Sequence, residues 1–139
     1  MSVTNTLDTV ETHDHDDDPS HDHCRALGAV LDRIADKWTI MAVGVLSNGP
    51  LRFNAMVRLI GGVSQRMLTL TLRNLEKDGL VTRTVYPTIP PRVDYELTPL
   101  GRTLIEPLGV LSEWAQEHLR EMESSRIAYA RRKDAESVR

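Results

Sequence analysis

The chain has 139 residues, 40% hydrophobic and 27% charged, which is the composition of an ordinary soluble protein with one modest core. No apolar run approaches the ~18 residues of a membrane span, and the N-terminus lacks the basic-then-apolar order of a secretion signal, so a cytoplasmic location is expected. The formal net charge of -3 conceals a division, because Asp8, Glu11, Asp14, Asp16, Asp17, Asp18 and Asp22 all precede residue 24 and no Lys or Arg does.

Residues 1–23 are polar and acidic, cannot bury enough apolar surface to offset their ordering entropy, and are expected to form a disordered tail. From Cys24 the pattern changes, with Leu27, Val30, Leu31 and Ile34 at helical spacing. A second helix is expected from Asp36, carrying Trp38, Met41, Ala42, Val45 and Leu46, and Asn48-Gly49-Pro50 stops it. Leu51 to Phe53 reads as a very short strand. Asn54 to Ile60 follows as a short helix with Met56, Val57 and Ile60 inward, and Gly61-Gly62 breaks it.

Ser64 has the position of an N-cap, and the helix it opens runs to about Asp78, with Gly79 as a left-handed stop. Val81 to Tyr86 and Val93 to Leu97 alternate as two strands around the proline-stiffened loop Pro87 to Arg92. Thr98-Pro99 begins a last helix that carries Leu104, Leu108, Leu111, Ala115 and Leu119 to about residue 122, with a kink expected at Pro107. Residues 123–139 form a charged extension that either continues this helix or frays.

Helical projection of the Ser64 segment gathers Met67, Leu68, Thr71, Leu72 and Leu75 on a core side. The opposite side collects Gln65, Arg66, Thr69, Arg73, Glu76 and Lys77. Arg reaches guanine bidentately, Gln reaches adenine, and Thr meets hydrogen-bonding edges or a thymine methyl. Leu70 falls among these polar groups without an evident role. From Arg52 to Arg92 the bases Arg52, Arg58, Arg66, Arg73, Lys77, Arg83 and Arg92 face only Glu76 and Asp78, the electrostatic footprint of a phosphate-binding surface. A short helix, a glycine turn, a second helix and a hairpin, all in basic surroundings, make a winged helix-turn-helix. The fold class is therefore mainly α with a small β-hairpin wing. The Ser64 helix is placed in the major groove, and Arg92 at the wing tip probes the backbone or minor groove.

Cys24 and its following apolar helix, DKWTIMAVGVLSNGPLRF, GGVSQRMLTLTLRNLEKDGLVTRTVY and PPRVDYELTPLG together resemble the HxlR-type family of bacterial winged helix-turn-helix transcriptional regulators. Order, spacing and length agree over residues 24–114, about two thirds of the chain. The resemblance implies a homodimeric, sequence-specific DNA-binding repressor or activator, dimerising through its first and last helices. The stripe of Leu104, Leu108, Leu111, Ala115, His118 and Met122, with Trp114 beside it and Leu27 on the first helix, is the candidate interface. Such a dimer sets two recognition helices about 34 Å apart on an inverted repeat of double-stranded DNA. Candidate DNA contacts are Arg52, Ser64, Gln65, Arg66, Thr69, Arg73, Lys77 and Arg92.

The resemblance also implies a sensing role for Cys24, since several such regulators use a cysteine there against electrophiles or oxidants. The usual following proline is replaced by Arg25. A first-turn helical position and the Arg25 charge favour thiolate, whereas Asp22 and the acidic tail oppose it. As the sole cysteine, it forms no intrachain disulfide, and a redox switch needs an intersubunit or mixed disulfide. The alternative is a small hydrophobe.

His13, His15, His21, His23 and Cys24 are chemically competent metal ligands, but their spacing matches no closed site. No metal or cofactor is therefore assigned, and a metal-responsive tail stands as an alternative to chance histidines. A winged-helix protein-interaction module is the other competing class. An enzyme is disfavoured, because no glycine-rich phosphate loop or nucleophile–base pair is present.

Overall fold

The computed structural model describes residues 19–138. Its elements are α1 (Pro19–Ile34), α2 (Lys37–Leu46), β1 (Leu51–Arg52), α3 (Phe53–Ile60), α4 (Gln65–Lys77), β2 (Val81–Tyr86), β3 (Arg92–Leu97), α5 (Pro99–Arg102) and α6 (Ile105–Ser137). The strands form one antiparallel sheet in the order β1-β3-β2. No helix among the described residues is long and apolar enough to cross a membrane.

The centre of the fold is α2, which touches α1, α3, α4, α6 and β3. Its buried side is Thr39, Ala42, Val43 and Leu46, while Met41 is exposed, so the inward register differs from the expected one by a fraction of a turn. Met56 of α3 and Leu68, Leu72 and Leu75 of α4 close over this side, and Val81 and Leu97 of the sheet complete the core.

Between α3 and α4 the chain turns on Gly61 and Gly62, with φ of 68° and 74°. Both values lie in the left-handed region that a side chain would disfavour. Ser64 then caps α4, its Oγ accepting the Met67 backbone NH at 3.0 Å, and Gly79 at φ 74° ends it. Met67 is exposed, so the core side of α4 is narrower than its apolar residues imply.

Three boundaries differ from the sequence-based expectation. The first helix begins at Pro19, so residues 19–23 belong to α1, while the rest of the expected tail, with His13 and His15, lies outside the described residues. The last helix is two helices that part at Thr103-Leu104, and Pro107 is the third residue of α6. Backbone NH groups in a first helical turn have no intrahelical acceptor, so a proline there starts a helix instead of kinking it. Residues 123–137 continue α6 as exposed helix.

At the wing base, Thr98 caps α5 by accepting the Gly101 NH at 3.0 Å and donates its hydroxyl to the Gly79 carbonyl at 2.6 Å. The Thr98 NH donates to the Leu80 carbonyl at 3.0 Å. This knot fixes the end of the recognition helix to the start of the C-terminal helices.

Candidate nucleic-acid interface

The buried Leu68, Thr71, Leu72 and Leu75 hold α4 against the core, and Gln65, Arg66, Thr69, Arg73 and Lys77 consequently face solvent. Among the described residues no carboxylate lies within ion-pairing distance of Arg66, Arg73 or Lys77. A cationic helix face without internal partners keeps its guanidinium donors available for phosphate and base acceptors.

Thr69 donates its hydroxyl to the Gln65 carbonyl at 2.7 Å. Its methyl and remaining lone pairs are what it can present to DNA. The Ser64 oxygen is occupied as an acceptor by its cap, but its own proton remains to be donated to a phosphate. Leu70 is 47% exposed on this face.

Arg83 and Tyr95 join this surface although neither stood among the predicted contacts. Arg83 pairs across the ladder with Tyr95 and lies 3.8 Å from Glu76 of α4. Together with Thr69 and Arg73 they line a polar cleft of about 250 Å³ between recognition helix and wing. Burial pushes the Tyr95 hydroxyl above its ordinary pKa, with Arg83 opposing, so at neutral pH it is a phenol able to donate. The signal was in the strand parity: Arg83 alternates in phase with the buried Val81.

Arg92 departs from expectation. It is the first residue of β3 and not a free probe at the wing tip. Its Nε donates to Asp94 Oδ1 at 3.1 Å and its Nη2 to Oδ2 at 2.8 Å, while its guanidinium carbon sits 5.0 Å from the centre of the Tyr86 ring. The exposed tip is Ile89 instead. Arg52 is exposed at the entry to α3, opposite Asp94 in the β1–β3 ladder.

The candidate dimer residues separate into two sets. Leu108 is 7% exposed inside its own subunit's core, and Leu104 packs half-buried against the same core, so neither is spare apolar surface. Leu27 and Val30 of α1, and Leu111, Trp114, Leu119 and Met122 of α6, are exposed, as is Ala115. His118 stacks on Trp114 with ring centres 4.6 Å apart, and its Nδ1–H donates to the Trp114 carbonyl at 2.8 Å.

Cys24 is exposed and unbonded. Because α1 begins at Pro19, Cys24 lies in the second turn, beyond the reach of the helix-terminal field invoked for it. Arg25 stands 3.8 Å from Asp22, so its charge is partly answered there. Its exposure also corrects the reading of Cys24 as a packed hydrophobe within the subunit. Among the described residues no three His, Cys, Asp or Glu side chains converge as a metal site.

A capped helix presenting unpartnered arginines, preceded by a short helix and flanked by a hairpin wing, defines a winged helix-turn-helix DNA-binding transcriptional regulator. The profile of the HxlR-like helix-turn-helix family matches residues 33–123, and the chain belongs to that family. The uncharacterized HTH-type transcriptional regulator YtfH of Escherichia coli (strain K12) is 40% identical over 93 residues, 67% of this chain and 74% of its own length. The uncharacterized HTH-type transcriptional regulator YybR of Bacillus subtilis (strain 168) is 44% identical over 97 residues, 69% and 77% of the two chains. Among solved structures, the redox regulator HypR in its reduced form superposes with a TM-score of 0.65 at 40% identity, covering 71% of this chain and 98% of its own. These relatives are regulators and not enzymes.

Proposed function

We propose that this regulator acts in the cytoplasm as a homodimer that recognises an inverted-repeat operator, as repressor or activator, under control of the Cys24 thiol or a small ligand. Gln65, Arg66 and Thr69, near the N-terminus of α4, read base edges. Ser64, Arg73, Lys77, Arg52 and Arg92 hold phosphates, and Arg83 with Tyr95 extends that set across the cleft. The observation that carries this reading is the α4 face, where Arg66, Arg73 and Lys77 are exposed without a carboxylate partner among the described residues. A helix whose cations served only to neutralise its own subunit would pair them.

Dimerisation is supported by apolar surface that the subunit leaves uncovered. Leu27 is 51% exposed and Trp114 50%, and the α6 stripe runs on through Leu119 and Met122. A soluble chain covers contiguous apolar surface of this kind with a partner, and self-association covers both helices at once. Thiol control is supported by the exposure of Cys24 and by the likeness to HypR, whose name describes a redox regulator. Any disulfide formed by this chain's sole cysteine joins it to a second chain or a small thiol.

The test is selection of genomic DNA fragments by the purified full-length chain, followed by binding titrations of the recovered site across a salt series. An inverted repeat with half-sites about one helical turn apart, bound with an affinity that falls steeply with salt, is expected. Enrichment of no sequence would refute the operator reading. Diamide or quinone treatment, followed by mass spectrometry, is expected to show a Cys24 adduct with altered operator affinity. An adduct that leaves affinity unchanged would remove the thiol from the mechanism.

A further inference from the structure

Asp94 is an anomaly on the sheet. The side of β3 that carries Arg92, Asp94 and Glu96 faces away from Tyr95 and Leu97, which pack toward the core, yet the Asp94 side chain is only 12% exposed. Its direct partner is cationic, Arg92. Residues opposite one another in an antiparallel ladder share a side, and the register sets Arg52 of β1 opposite Asp94 and Tyr86 of β2 opposite Arg92.

Arg92 forks onto both carboxylate oxygens and lies over the Tyr86 ring. The hydrogen bond to Arg92 holds the Asp94 carboxyl below the usual carboxylate range despite its burial, and the charge of Arg52 pushes the same way. The carboxylate thus binds one arginine, Arg92, in the field of a second, Arg52, which lies beyond ion-pairing distance of it, and the three side chains together carry one net positive charge.

The two arginines stand on the walls of a single open groove of about 580 Å³, whose remaining lining includes Asn54 at the start of α3 and Thr88 and Ile89 at the wing tip. The groove therefore bridges the first helix of the helix-turn-helix and the wing. Arg92 spends its Nε and one Nη2 hydrogen on Asp94, which leaves three of its five donors for a ligand. A guanidinium already fixed by a carboxylate and an aromatic ring also loses little rotamer freedom when it binds. One fixed guanidinium and a second arginine around an open groove suit a tetrahedral monoanion, the phosphodiester being the one a DNA-binding protein meets.

We infer that Asp94 is a positioning residue for DNA binding: it fixes Arg92 on one wall of this groove, with Arg52 on another, and the groove takes a backbone phosphate of the operator, apart from the contacts of α4. This rests on the DNA-binding reading above, and the sign of one substitution separates it from simple electrostatics. Removing a negative charge beside DNA tightens binding when the charge acts only through its field. Removing a charge that positions an arginine weakens it.

The experiment is fluorescence-anisotropy titration of the full-length chain with an operator duplex and a random duplex over a salt series. Asp94→Asn is expected to weaken binding to both duplexes about tenfold while leaving base preference unchanged, although the protein gains a positive charge. Arg52→Ala and Arg92→Ala should each lower the slope of log K against log salt by about 1. In the Arg92→Ala background, Asp94→Asn should lose most of its effect. Tighter or unchanged binding by Asp94→Asn, or unchanged slopes for both arginine variants, overturns the inference.

Unfolding midpoints measured alongside show whether Asp94→Asn is folded. If it is not, Arg92→Lys decides, because it keeps the charge but cannot fork. Weakened binding is expected, and wild-type affinity overturns the inference. Arg66→Ala runs in parallel: loss of base preference there with unmoved groove variants refutes the groove alone, whereas salt-independent binding by the unmodified chain refutes the DNA-binding reading itself.

Discussion

Gly101→Ala is expected to destabilise the fold, and the structure sets the size of the effect. A Cβ built at Gly101 would stand 2.0 Å from the Leu80 carbonyl oxygen and 3.2 Å from a Leu97 methyl. Restoring ordinary contact needs a displacement of at least about 1 Å, taken by backbone and not by a flexible side-chain end. The Leu80 oxygen is also the acceptor for the Thr98 NH at 3.0 Å, so the movement strains that bond as well. Overpacking costs about 1–3 kcal/mol and a weakened hydrogen bond about 1 kcal/mol, while alanine's better helix propensity returns up to about 1 kcal/mol. The net expectation is a loss of about 2 kcal/mol in urea unfolding at fixed protein concentration. Gly44→Ala is the control. Gly44 is also helical, no heavy atom lies within 4 Å of its added Cβ, and the same substitution should stabilise by up to about 1 kcal/mol. Equal or greater stability of Gly101→Ala relative to the parent would refute the reasoning.

Three further outcomes are expected. Ser64→Ala should cost about 1 kcal/mol through loss of the α4 cap; Ser64→Asp should restore stability but weaken DNA binding, because it sets a carboxylate beside a phosphate, and the two are separated by urea melts and titrations. Leu111→Glu with Trp114→Glu should yield a monomer by analytical ultracentrifugation and lose binding to an inverted repeat while the secondary structure seen by circular dichroism stays intact. Asp94 has its carboxyl pKa lowered in the fold by the Arg92 hydrogen bond, so its contribution is fully present above the unfolded value of about 4 and is lost as pH falls through the folded one. The stability difference between the parent and Asp94→Asn should accordingly hold at neutral pH and shrink below about pH 4.

The recognition helix was legible in the sequence because three independent signals coincide there: a capping serine, apolar residues at helical spacing and a stop glycine. The wing was legible from its alternation and prolines. Pro107 was not, since the same residue kinks a helix interior or opens a first turn, and only the break at Thr103-Leu104 shows which. The helical periodicity of Leu104 and Leu108 showed that they are covered but not by what, and the fold assigns both to the subunit's own core. Arg83 carries no assigned contact in the sequence, and Arg92 lies at the start of β3 and not at the wing tip. Composition identified both as basic, but strand parity and cross-strand register decide what each arginine touches, and register depends on contacts distant in sequence.

The most direct test of a base-reading α4 is the binding of Arg66→Ala to the operator and to single-base variants of it, at two salt concentrations. A loss of about 1–3 kcal/mol confined to one operator position, with preference relaxed there and the salt slope little changed, is the predicted result. Equal weakening on every sequence, or no change at all, would contradict the claim that this helix reads DNA through its N-terminal residues.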